Sequence, residues 1–289
     1  MWFIIFSIDV KLLELQEVNQ MLISDALQLK ERAFISLVGA GGKSSFLQRM
    51  AQEFIQKKKK IILTTSTKMF ISQITLFIKE GQIIETPCAE VMEEGIKNYF
   101  EQNRNKGIAI LLARRLMEDG NEKFSGPETR YLDKWWRDGL ADFFIVEADG
   151  AKGRPIKAPD YHEPVIPEMV SNVIAVIGID AIGLRLEEKN VFRSSLFSNL
   201  TGLKLGKKIN IETITALVNH PEGLYKNSPD FAKRHLFLNK VNNIEKVQIA
   251  TNIALAVFMD NQAHISTIIV GDTLKRDGIV LKVINGKIE

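Results

Sequence analysis

The chain has 289 residues, 45% hydrophobic and 25% charged, a balance that excludes a disordered or fibrous protein and suits one large α/β domain or two small ones. Its 38 basic and 35 acidic residues leave a formal charge of +3, too even to make nucleic acid or an anionic membrane the main partner. The single cysteine, Cys88, has no companion for a disulfide or a multi-thiolate metal site, which points to a reducing, cytoplasmic setting.

The opening run MWFIIFSIDV is apolar, but it lacks a basic start and a small-residue cleavage site and falls well short of the roughly 20 residues that cross a bilayer. Residues 1–30 read as an N-terminal extension, with an added strand over 2–10 or an upstream start and Met21 as a second candidate start. Residues 31–289 read as a single α/β nucleotide-binding domain. Short runs apolar on both faces recur at 34–38, 61–63, 108–112, 143–146, 173–177, 235–238 and 267–270, as expected for strands of a buried, mainly parallel sheet. Phe46, Leu47, Met50, Ala51, Phe54 and Ile55 share one helical face, as do Val247, Ala250, Ala254 and Val257. Strands alternating with helices predict a three-layer αβα sandwich of the P-loop NTPase type. Asn285-Gly286 between extended segments predicts a small C-terminal β-hairpin.

Between the first strand and the first long helix stands Gly39-Ala40-Gly41-Gly42-Lys43-Ser44-Ser45. Glycines allow backbone conformations that turn successive amides onto phosphate oxygens, and the helix N-terminus adds positive potential. Lys43 would neutralise β- and γ-phosphate charge, and the Ser44 hydroxyl would ligate Mg²⁺. The Walker A spacing wants glycine where Leu37 stands, so this is the shorter G-x-x-G-K-[ST] form, like the loop of the Mur ligases. The lysine run 57–60 reads as a solvated helix end. TTSTK at 64–68 places hydroxyls, Thr65 among them, at a strand end near the loop, where threonine is also at home structurally.

DFFIVEADGAKG supplies carboxylates: Glu147 and Asp149 follow a buried strand at the tip where ligands of α/β sheets bind, and their spacing allows both to face one side. They would hold Mg²⁺ or orient an attacking water. Lys152, Arg154 and Lys157, then His162 and Glu163, follow in a proline-punctuated segment that reads either as an anionic-substrate site with acid/base groups or as a wet surface loop. Arg193 is a further cation of the same kind. Asn239-Lys240-Val241-Asn242 lies close to the NKxD element by which GTPases read guanine. Asn242 in place of aspartate removes one buried bond to guanine, worth about 1–3 kcal/mol, so ATP and GTP both stay open.

The blocks LVGAGGKSS, ILTTSTKMF, VEADGAKGRPIKAPDYHEPVIP, GIDAIG and HPEGLYKNSP…LFLNKVN, in this order over residues 21–289, resemble the YqeC family, the selenium-dependent hydroxylase accessory proteins. The resemblance implies a P-loop nucleotide-binding fold, a nucleoside triphosphate with Mg²⁺, and a role in maturing a selenium-dependent molybdenum hydroxylase together with that enzyme or its cofactor-maturation proteins. It also makes the Lys152–Glu163 block the candidate second-substrate or partner site. The rival expectation is an ATP-dependent kinase or ligase acting on a small anionic molecule, suggested by the Mur-like loop; a nucleotide-binding module without turnover is a third.

Overall fold

The computed structural model describes residues 21–70, 81–85, 89–104, 106–118, 121–275, 279–284 and 287–288. The extension up to residue 20, Cys88 and the Asn285-Gly286 turn lie outside them. In chain order the elements are α1 (Ile23–Ala26), β1 (Ala33–Gly39), α2 (Lys43–Gln56), β2 (Lys60–Thr65), β3 (Lys68–Phe70), β4 (Gly81–Glu85), α3 (Ala89–Gln102), β5 (Ile108–Glu118) and β6 (Asn121–Ser125). There follow α4 (Thr129–Arg137), β7 (Phe143–Glu147), β8 (Ile156–Lys157), β9 (Asn172–Gly178), a 3₁₀ turn (Ile179–Ala181), β10 (Val191–Phe192), α5 (Ser194–Thr201) and α6 (Ile211–Asn219). The chain closes with β11 (Lys233–Asn239), α7 (Ile244–Asp260), β12 (Ile265–Gly271), β13 (Ile279–Ile284) and β14 (Lys287–Ile288).

Each of the seven apolar runs from 34–38 to 267–270 is a strand, and the sheet they form is mainly parallel. Its parallel part runs β4-β5-β2-β7-β1-β9-β11-β12. Antiparallel β13 and β14 extend one edge, and β6 and β3 join the far end of β5. Alternation explains the layers. Ile35 and Leu37 of β1, with Ile145, Val176 and Phe237, face Phe46, Leu47, Met50 and Phe54 of α2. Phe34 and Val38, with Phe144, Ala175 and Leu238, face the other way onto the side that carries Met92, Trp135, Leu217 and Ala250 of α3, α4, α6 and α7. Because both faces are covered, these strands carry no polar alternation. Aromatic contacts fasten α2 down: Phe54 stacks on Phe143 with centroids 3.7 Å apart, and Phe46 meets Phe237 edge-on at 4.9 Å.

The lysine run lies past the end of α2 and is only partly solvated. Lys57 pairs with Asp25 and Lys59 with Glu31, while Lys60 already belongs to β2. No helix among the described residues is long and apolar enough to cross a membrane.

Candidate functional site

At the tip of β1 the chain turns through Gly39, Gly41 and Gly42, all with positive φ (87°, 83° and 122°). Two of these positions admit no side chain for a second reason. A Cβ on Gly41 would sit 2.1 Å from Gly178 N and 2.5 Å from Pro155 O, and one on Gly39 would sit 2.5 Å from Val176 O. The loop is therefore packed backbone to backbone against the end of β9 and the segment after β7. The first three amides of the turn have protein acceptors: Gly39 N–H donates to Asp149 Oδ2 (3.1 Å), Ala40 N–H to Val176 O (2.9 Å) and Gly41 N–H to Arg154 O (3.1 Å). Of the expected cradle Gly39–Ser45, these three amides are therefore already satisfied within the protein. Gly42 caps α2 without any side-chain bond, in contrast to Asn210 on α6 and Asn243 on α7, and the first-turn amides of a helix have no intrahelical acceptor. Half-buried Ser44 and Ser45 lie in that turn.

Lys43 is buried, not solvent-facing as a loop lysine would be. Its Nζ donates to Gly39 O and lies 3.0 Å from Asp149 Oδ1 and 3.9 Å from Glu147 Oε1. Parallel pairing of β1 with β7 brings the carboxylates here, since Leu37 is in register with Glu147. The charge row continues outward. Lys157 Nζ, 0% exposed, reaches Asp149 Oδ2 (3.1 Å), Glu163 Oε2 (2.5 Å) and Gly150 O (2.8 Å). Arg193 then grips Glu163 through both terminal nitrogens and meets Asp160 through Nε at 3.2 Å. Four carboxylates (Glu147, Asp149, Glu163, Asp160) alternate with three cations (Lys43, Lys157, Arg193), leaving one negative charge in excess.

The pKa shifts follow from this row. Burial works against the Lys43 ammonium, but Asp149 and Glu147 outweigh it and hold it above the ordinary lysine value. Burial pushes the Glu147 carboxyl up, with Lys43 opposing. At Glu163 burial is overcome by Arg193 and Lys157, and the carboxyl is driven down to about 2. Glu147 Oε2 and Asp149 Oδ1 are buried without a hydrogen-bond partner, the Asp149–Lys43 contact being an ion pair only.

The other expected site residues divide into framework and surface. Lys157 and Arg193 are not open cations awaiting an anion: their donors are engaged by Asp149, Glu163 and Asp160, because a buried carboxylate row needs counter-charge. Glu163 is held ionised in the same row, which fits it poorly as a proton donor or acceptor. His162 is exposed, its ring centroid 4.9 Å from that of Tyr161. Lys152 is exposed beside the Phe192 ring, and Arg154 donates to Glu188 O and Lys152 O. Thr65 is buried, its hydroxyl donating to Glu147 O (2.9 Å) and accepting from Thr67 N–H (3.1 Å), so it braces the carboxylate strand tip.

Asn239 is buried and ties the loop to the neighbouring strand end: Nδ2 donates to Gly41 O (2.9 Å) and Oδ1 accepts from Thr273 N–H (3.1 Å). Lys240, at φ 66°, pairs with Asp180 at 2.8 Å. Asn242 is exposed and accepts from Lys246, and its neighbour Asn243 is engaged as the α7 cap. Glu188, Asp180 and Thr273 carried no sequence signal of their own. Glu188 takes the backbone N–H of Arg193 and Ser194, fixing the turn that aims Arg193 inward.

The family model described as YqeC protein matches residues 35–195, more than half of the chain. The chain belongs to the YqeC family. The matched stretch contains the glycine turn, the β7 carboxylates and the whole charge row out to Arg193, so the buried network of this YqeC-family chain lies inside the segment that defines the family. Over 267 residues the chain is 28% identical to the uncharacterized protein YqeC of Escherichia coli (strain K12), covering 91% of this chain and 96% of that one. Among solved structures it is distantly similar to the signal recognition particle 54 kDa protein of Aeropyrum pernix K1 in complex with GDP, with a TM-score of 0.37 and 15% identity over 90% of this chain and 44% of that chain.

Proposed function

We propose that this YqeC-family protein binds a nucleoside triphosphate with Mg²⁺ at the β1–α2 turn and hydrolyses it slowly, as an accessory factor in maturing a selenium-dependent molybdenum hydroxylase. The observation that carries the nucleotide part is the meeting of Lys43 with Asp149 and Glu147 directly beneath an uncapped helix N-terminus. Gly42 N–H and the first-turn amides would hold the phosphate oxygens, and Lys43, already cationic, would neutralise them.

The residues also suit Mg²⁺. Glu147 Oε2 is buried without a hydrogen-bond partner, Asp149 Oδ1 meets only the Lys43 ammonium, and the row holds one more carboxyl group than cations. Two carboxylates with the Ser44 hydroxyl fall short of a stand-alone cage, and no group of three or more acidic, histidine or cysteine side chains suited to a metal occurs among the described residues. A cation that takes its remaining ligands from phosphate and water fits that donor set. When bound, Mg²⁺ supplies charge neutralisation at the β- and γ-phosphates. Glu147, with its raised pKa, would position the attacking water. The accessory role rests on the family resemblance alone.

Calorimetric titration with ATP and with GTP, with and without Mg²⁺, tests the nucleotide reading and leaves the base to be decided by the two arms. Lys43→Ala should weaken Mg-triphosphate binding at least about tenfold, roughly 1.4 kcal/mol. Circular dichroism must accompany it, because a buried lysine is being removed. No Mg-dependent triphosphate binding by the folded wild-type protein overturns the reading. Phosphate release that rises with a molybdenum hydroxylase and not with small anions supports the accessory role; the reverse supports a kinase or ligase, a reading disfavoured by the engagement of Lys157 and Arg193 in the charge row.

A further inference from the structure

The block HPEGLYKNSP, at 220–229, takes no part in the nucleotide reading. It forms one wall of a cleft of about 300 Å³ whose other wall is Arg234 of β11 and the turn before β12, Gln262 and Ala263. Because β1, β9 and β11 run parallel, the start of β11 and the tip of β1 lie at opposite edges of the sheet. The cleft is therefore separate from the glycine turn.

Its lining is polar and contains no carboxylate. Arg234 Nη1 donates to Ala263 O at 3.0 Å, and no acidic side chain among the described residues pairs with the guanidinium, which leaves its other N–H groups to the cleft. His220 Nδ1 accepts from Glu222 N–H at 3.0 Å, so the ring proton of the neutral form sits on Nε2 as a donor. Ser228 Oγ is buried without a hydrogen-bond partner. Lys226 at the rim is neutralised by its pair with Glu222 at 2.7 Å, which leaves Arg234 as the cation of the cleft without an acidic partner among the described residues. Two nearby acceptors are occupied, Asn219 Oδ1 by Ala263 N–H and His235 O by the Tyr225 hydroxyl at 2.6 Å, and the amide nitrogens of Asn227 and Gln262 donate to Pro164 O and Asp260 Oδ1. A cleft with an unpaired guanidinium, a buried hydroxyl lacking a partner and no carboxylate in its lining is complementary to a ligand that brings acceptors.

We propose that this cleft binds a small oxyanion, a carboxylate or phosphate group, with Arg234 as its principal contact and Ser228 and His220 as supporting donors. The test is titration of the full chain with inorganic phosphate and, separately, succinate, followed by amide chemical shifts. Saturable shifts at His220, Ser228 and Gln262 are expected. Arg234→Gln, which keeps a donor for Ala263 O, should weaken binding about tenfold, and Ser228→Ala about threefold, the latter too small a change to threaten the fold. Response to phosphate alone identifies a phosphoryl ligand, to succinate alone a carboxylate, and to both a general oxyanion site; each supports the proposal. Shifts confined to the Gly39–Ser45 amides, no saturation with either probe, or equal binding by Arg234→Gln overturn it. Since the readout is resolved by residue, none of these outcomes depends on whether the glycine turn binds nucleotide.

Discussion

Replacing Lys157 by methionine gives a direct measure of what the buried charge row contributes. Methionine keeps the length and volume of the stem, so little cavity forms, and the change is electrostatic. Lys157 Nζ serves Asp149, Glu163 and Gly150 O, and the side chain is fully buried. Its loss leaves Asp149 with Lys43 as its remaining cation beside the Gly39 N–H bond, and Glu163 with Arg193, in a setting where removing one partner of a buried ion pair costs about 3–5 kcal/mol. Against a typical total stability of about 5–15 kcal/mol, that is a large fraction. Urea unfolding should show the midpoint falling with an unchanged m-value. Lys157→Met combined with Glu163→Gln removes one stranded charge and should recover about 1–2 kcal/mol. A loss below about 1 kcal/mol for the single variant, or no recovery in the double, would refute the view that Lys157 is the internal counter-ion of the row.

Gly41→Ala should destabilise by at least about 2 kcal/mol, since it adds positive-φ strain to a Cβ clash with Gly178 and Pro155 backbone; unfolding within 0.5 kcal/mol or so of wild type would contradict the packed turn. Asn239→Ala breaks the bonds to Gly41 O and Thr273 N–H, and should weaken triphosphate affinity by about three- to tenfold without altering any base preference, as read by the same calorimetry. His235 is held neutral, its pKa pushed down to about 4 by burial and further by Lys233, while the unfolded imidazole titrates near about 6.5. Between those values the unfolded chain binds the extra proton. Stability is therefore fully present above about pH 6.5 and falls by about 3 kcal/mol on going down to about pH 4. Urea unfolding of His235→Leu at pH 7 and pH 4.5 should show a correspondingly flatter pH dependence, and an identical slope would refute it.

The parallel strands of the main sheet were legible because each is an uninterrupted apolar run, and only β4, poor in such a run, went unread among them. The short pairs β3–β6 and β8–β10 were not legible. Pairings of two or three positions leave no usable period, and they are set by the elements that flank them. At the site, Lys43, Glu147 and Asp149 were recognisable from a loop and a strand tip some hundred residues apart, because the parallel sheet rule places both at one edge.

Read in order, Lys152 to Arg193 were either open cations of an anionic-substrate site or charges of a wet loop, and neither reading had them pair with one another. Folding instead draws Lys157, Glu163 and Arg193 beneath the turn and leaves His162 and Lys152 outside. Local pattern is enough for strand identity, the glycine turn and the family, because these depend on neighbours along the chain. Which charges pair, and which amides of the turn remain open to a ligand, depends on contacts over tens to hundreds of residues. Burial there makes the partner of each charge a matter of a few kcal/mol.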